Sequence, residues 1–288
     1  LFEDLGMTSI QIMQIPMNLE IFGIHISVGD IYTNRTIREI LKNHQTELNH
    51  WYNEPTMDKP VLVVVSGYTS FSFLYSDFAK GLSDLYSIFV FESYQEEQED
   101  IASSCKNLVA YYMDILLPIV RQYKIAAITG FCLGGELGLL LAHELYKQTS
   151  VLPHVIVLDG EVHRSKIKDE YIPAYMDFLP DKLNKQRFDR DMALIESMPD
   201  FHYEGKITSI LANRYDENLP SFQKKLNPTK LQIECARYFY ERTPAMWRKY
   251  YSNCNLFYVE ADHLSFLHAP KSVKMIVDYF RSLITSAI

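Results

Sequence analysis

Cys132 stands between Gly130 and Gly134 in the run I-A-A-I-T-G-F-C-L-G-G, residues 125–135. An apolar stretch precedes it, and Leu137, Leu140, Leu141 and Leu145 follow at helical spacing. A nucleophile on a tight strand-to-helix turn is held above the sheet, and small flanking residues let the backbones pass closely, which is the physical basis of a G-x-nucleophile-x-G spacing. Sulfur attack on a carbonyl also needs a base for the thiol proton, a group to orient that base, and N–H donors for the developing oxyanion. Asp159 follows the apolar run Val155 to Leu158, and His263 follows Leu256 to Val259 in E-A-D-H. The backbone N–H of Leu133, next after the nucleophile, is the first oxyanion donor this arrangement offers. Competing readings exist for each residue. Asp159 could cap a helix, Asp216 lies shortly after another apolar run, and His143 and His268 are rivals to His263. A lone cysteine is most often a small buried hydrophobe, the reading kept for Cys105, Cys235 and Cys254.

The elements that must position these residues are written in the hydrophobic pattern. Val61 to Val65, Ile88 to Phe91, Ile125 to Ile128, Val155 to Leu158, Ile207 to Leu211 and Leu256 to Val259 read as short buried strands separated by helical stretches. Such alternation gives a mostly parallel sheet with helices on both faces. The rhythm breaks between Gly160 and Lys206, where charged helical stretches carry Tyr171, Tyr175, Phe178 and Phe188. An insertion of this kind after a strand end predicts a lid over a site, placed at about residues 161–205.

Composition narrows the function classes. The 288 residues are 48% hydrophobic, which suits one large domain and a small one. A net charge of −8 argues against nucleic-acid binding, which relies on clustered Lys and Arg. The four cysteines show neither paired spacing nor a zinc pattern, so the expectation is no metal and a reducing cytoplasm. There is no apolar run long enough to span a membrane and no charged leader, so an unexported protein without a membrane anchor is expected.

At the N-terminus, D-L-G-M-T-S ends in Ser9, followed by Ile12, Ile15, Leu19 and Phe22 at steps of three and four, then by F-G-I-H-I and T-I-R-E-I. This segment resembles an acyl or peptidyl carrier protein. The resemblance implies 4'-phosphopantetheine attached covalently to Ser9, against the plainer reading of Ser9 as a helix N-cap. Pro16 and Thr8 depart from the pattern. Residues 1–41 are accordingly expected to be the C-terminal part of an all-α carrier bundle, with its first helix missing and the chain cut from a longer assembly. Residues 42–59, polar and containing Asn43, Asn49, Asn53 and Pro55, are expected to be a linker, with Trp51 and Tyr52 docked on a neighbouring domain.

Residues 60–288 resemble the release thioesterases that terminate nonribosomal peptide and polyketide synthetases. G-F-C-L-G-G is similar to their G-x-S-x-G-G, and A-D-H-L-S-F-L to their G-D-H-F-x-M-L. The resemblance implies an α/β-hydrolase fold with a helical lid, preceded by the partial carrier bundle. It makes Cys132 the nucleophile in place of the usual serine, His263 the general base and then acid, and Asp159 its orienting partner. Leu133 and Val65 become the oxyanion donors. Implied partners are upstream synthetase modules, a phosphopantetheinyl transferase and an acyl or peptidyl thioester. An acyl group on sulfur remains a thioester and keeps its activation, so release by closure of a strained lactone or lactam, or by an amine, is expected ahead of plain hydrolysis. The rival readings are a simple hydrolytic thioesterase, a free-standing esterase or lipase, and a noncatalytic module that binds acyl chains or docks the carrier.

Overall fold

All six apolar runs form strands. The computed structural model describes residues 49–67, 74–92, 104–162, 193–194, 196–213, 241–263 and 265–285. In chain order the elements are β1 (Asn49–Trp51), β2 (Val61–Val65), α1 (Ser76–Lys80), β3 (Ser87–Phe91), α2 (Cys105–Gln122), β4 (Ile125–Phe131), α3 (Leu133–Thr149), β5 (His154–Leu158), β6 (Ile207–Ala212), β7 (Asn255–Val259) and α4 (Pro270–Thr285); residues 241–250 are also helical. One seven-stranded sheet runs β1-β3-β2-β4-β5-β6-β7. Every neighbouring pair is parallel except β1 with β3.

The largely apolar strands β2 to β6 follow from burial on both faces. Successive side chains alternate across a strand, so Val61, Val63 and Val65 join one core while Leu62 and Val64 join the other. Tyr112 and Leu116 of α2 and Leu137 and Leu141 of α3 close the first face. Phe78 of α1 and Ile276 and Phe280 of α4 close the second, with the Phe78 and Phe280 rings edge-on at 5.0 Å. The chain passes from β2 outward to β3 and then back across β2 to β4. That reversal opens a crevice at the C-terminal ends of β2 and β4, where open parallel sheets place their ligands.

The start of the sheet corrects one expectation. Asn49 to Trp51, assigned from polar composition to a linker reaching residue 59, instead form the edge strand against β3. Trp51 packs edge-on against Phe89 and Tyr123 at 5.1 and 5.5 Å, so it is docked as expected, but within this domain. Asn53 continues the edge through its side chain: Oδ1 accepts from the Ile88 N–H at 2.8 Å, and Nδ2 donates to the Tyr86 carbonyl at 2.9 Å. Asn53, one of the polar residues that suggested a linker, thus serves as a backbone partner for a strand edge that would otherwise be open. Within the interval assigned to the lid, Leu194 and Tyr203 are fully buried in the core. The carrier segment, Cys235, Asp216 and the lid residues Tyr171, Tyr175, Phe178 and Phe188 lie outside the described residues.

Candidate active site

Cys132 lies between the last residue of β4 and the first of α3, with φ 57° and ψ −125°. A side chain in this region is strained and persists only where its surroundings fix it. Here the Cys132 N–H donates to the Leu158 carbonyl at 2.9 Å, and its own carbonyl accepts from the Gly135 N–H at 3.1 Å. Two glycines make the turn possible. A Cβ on Gly134 would stand 2.2 Å from the Val65 carbonyl oxygen, and one on Gly130 would stand 2.3 Å from the Gly134 backbone. The end of β2 and the first turn of α3 therefore touch backbone to backbone.

Asp159 ends β5 with φ 46°, its N–H donating to the Ile210 carbonyl at 2.7 Å. Both carboxylate oxygens are engaged. Oδ1 accepts from the Ala212 N–H at 2.8 Å, and Oδ2 accepts from His263 Nδ1 at 2.7 Å. The first bond ties the carboxylate to β6 and leaves the second oxygen aimed at the imidazole. With Nδ1 committed to Asp159, the other side of the His263 ring is hydrogen-bonded to the Cys132 side chain. Cys132, His263 and Asp159 thus form one hydrogen-bonded run across the C-terminal ends of three strands. Burial disfavours a charged His263, but the Cys132 sulfur, the hydrogen bonds to Asp159 and Cys132, and the Asp159 charge outweigh it and push its pKa up to about 10.

His263 owes its place to a turn that the D-H-L-S segment builds for itself. The Ser265 hydroxyl oxygen accepts from the Asp262 N–H at 3.2 Å, and Asp262 Oδ1 accepts from the Ser265 N–H at 2.9 Å. The Phe131 ring stacks on the imidazole at 4.6 Å and 25°. Sequence reasoning missed both supports. The Ser265 reciprocity follows the side-chain capping pattern of Asp and Ser three residues apart, whereas Phe131 carries no signal separating it from any core aromatic.

Leu133 is the first residue of α3 and almost fully buried, so its N–H belongs to those that a helix cannot satisfy internally. Val65 is placed differently from the donor expected of it. Along β2 the Val61 N–H is bonded to Lys124 in the β4 direction and the Ser66 N–H to Phe91 in the β3 direction. Alternation then sends the Val65 N–H toward β4, into the sheet, while its carbonyl lies against Gly134. His143 lies against Phe201 on α3, away from this cluster. Among the described residues no group of acids, histidines and cysteines is disposed to hold a metal ion. No described helix is long and apolar enough to cross a membrane.

Residues 1–42 match the family described as the phosphopantetheine attachment site. The fold is similar to that of the NocB thioesterase domain solved as a covalent complex with a fluorophosphonate nocardicin G analogue, with 14% identity over 82% of this chain and 99% of that one and a TM-score of 0.59. The described residues share the fold of this thioesterase domain. The Vlm2 thioesterase domain is likewise similar, at 18% identity over 81% of this chain and 95% of that domain, TM-score 0.52. Similarity to AB3403, a four-domain nonribosomal peptide synthetase, extends over 98% of this chain but 24% of that protein, at 11% identity and a TM-score of 0.57. No curated protein gives a match to the chain. The hydrogen-bonded run of Cys132, His263 and Asp159 lies at the crevice where such sheets hold their ligands.

Proposed function

We propose that the chain is a terminal release thioesterase in which Cys132 accepts an acyl or peptidyl group from a thioester and passes it to a second nucleophile. The supporting observation is the hydrogen-bonded run from Asp159 through His263 to Cys132, with Cys132 held at positive φ in front of α3. His263 takes the thiol proton, and the thiolate attacks the carbonyl of the incoming thioester. The Leu133 N–H stabilises the oxyanion. Collapse of the tetrahedral intermediate expels the original thiol, which takes its proton from His263. The imidazole next removes a proton from the releasing hydroxyl, amine or water as that group attacks the acyl-cysteine, and returns it to the Cys132 sulfur. Asp159 holds the tautomer and orientation that both steps require.

Ser9 is the residue that would hold 4'-phosphopantetheine, in keeping with the family matched by residues 1–42. Attached there, the group supplies the thioester on which the acyl chain arrives. A phosphopantetheinyl transferase and upstream synthetase modules are the partners this role requires.

Sulfur at position 132 favours release by an internal hydroxyl or amine, giving a strained lactone or lactam, because the acyl-enzyme remains a thioester. Comparing products of the natural chain with those of Cys132→Ser tests this reading. A lower ratio of cyclic to hydrolysed product in the serine variant is expected, and an unchanged ratio and yield would remove the reason for cysteine. Cys132→Ala is expected to reduce thioester turnover by about a thousandfold or more, measured as thiol release. Turnover equal to that of the natural chain would rule out Cys132 as the nucleophile.

A further inference from the structure

We propose that Tyr75 is a positioning residue for the chemistry assigned to Cys132, an inference that rests on that assignment. Tyr75 is fully buried just ahead of α1, and its hydroxyl oxygen accepts from the Phe131 N–H at 2.7 Å across 56 residues of sequence. Phe131 is the residue before Cys132. The paired register of β2 with β4 ends at Val64 and Thr129, and the Val65 carbonyl is turned against Gly134. The Tyr75 hydroxyl thus serves the Phe131 amide where β2 no longer pairs with β4. This fixes the peptide that carries the nucleophile into its strained turn.

The same residue reaches the base. The Phe131 ring lies 4.6 Å from the His263 imidazole and 5.8 Å from Phe266, so anchoring its amide also anchors the surface on which His263 rests. Tyr75 is well suited to this task because its ring is packed edge-on against Phe78 at 6.3 Å and its two side-chain torsions leave little freedom. Burial above all holds its phenol neutral, opposed by the bond from Phe131 and reinforced by the charge at Cys132.

Tyr86 provides the comparison. It is equally buried, and its hydroxyl donates to the Phe280 carbonyl at 2.9 Å, on the α4 side of the sheet. Tyr75→Phe and Tyr86→Phe each delete one buried hydrogen bond to backbone. The full chain and its variants are treated with iodoacetamide at neutral pH, and modification of Cys132 is followed by peptide mass spectrometry. Tyr75→Phe is expected to slow modification about tenfold while Tyr86→Phe stays within about twofold. The NMR signals of the His263 ring, shifted by the stacked Phe131, are expected to move in the first variant alone. Phe131→Leu keeps the amide and removes the stacked ring, and it is expected to slow modification as well, which keeps the idea testable if Tyr75→Phe does not fold. His263→Ala identifies the other failure. If it slows modification while both Tyr→Phe variants react alike, the positioning role is wrong; if it leaves the rate unchanged, the pairing of Cys132 with His263 is wrong.

Discussion

In the proposed chemistry, the protons shared by Cys132 and His263 decide whether the sulfur arrives as a nucleophile. Partial burial of His263 disfavours a charged imidazole, yet the sulfur and Asp159 push its pKa up to about 10. Both neighbours favour the protonated ring, so deleting either must lower the value. Cys132→Ala removes the strongest raising influence, and the His263 pKa is expected to fall toward or below its ordinary value. An NMR titration of the ring reads this directly. An unchanged value would mean that the sulfur does not face the imidazole. Cys132, Asp159 and His263 were legible in the sequence because each ends an apolar run and the three occur in a fixed order. Ser265, Phe131 and Tyr75 were not. Their types are those of any turn or core, and only the three-dimensional path of β2 and β4 gives Tyr75 its partner.

Elements bring these residues together by close backbone approach. The end of β2 and the start of α3 meet at Gly134, where a Cβ would overlap the Val65 carbonyl oxygen. A carbonyl in a paired strand cannot retreat without losing its ladder, so Gly134→Ala is expected to destabilise the fold by about 3 kcal/mol. Denaturant unfolding of the two proteins measures it, and a difference within about 0.5 kcal/mol would mean the turn relaxes freely. Strands β2 to β6 could be read from their apolar runs because burial on both faces keeps polar residues few, and β7, half exposed at the far edge, is apolar from Leu256 to Val259. β1 could not. It is three residues long and lies at an edge, and the Asn53 side chain does the pairing that an apolar run would otherwise advertise.

At the scale of the whole molecule, the proposed function gives one chain both the site of acyl delivery and the site of release. Ser9→Ala separates the two roles. It is expected to abolish acyl loading by a phosphopantetheinyl transferase while leaving Cys132 open to a small diffusible thioester and to alkylation; loss of Cys132 reactivity in that variant would contradict independent sites. The central claim is transfer of an acyl group from the Ser9 arm to the Cys132 sulfur. Its most direct test is peptide-level mass spectrometry of the full chain carrying phosphopantetheine loaded with a simple acyl group, beside the same preparation of Cys132→Ala. The account requires an acyl adduct on the Cys132 peptide of the natural chain, absent from the alanine variant, in which the acyl group stays on the Ser9 peptide. Retention on the Ser9 peptide in both proteins, with Cys132 unmodified, would contradict it.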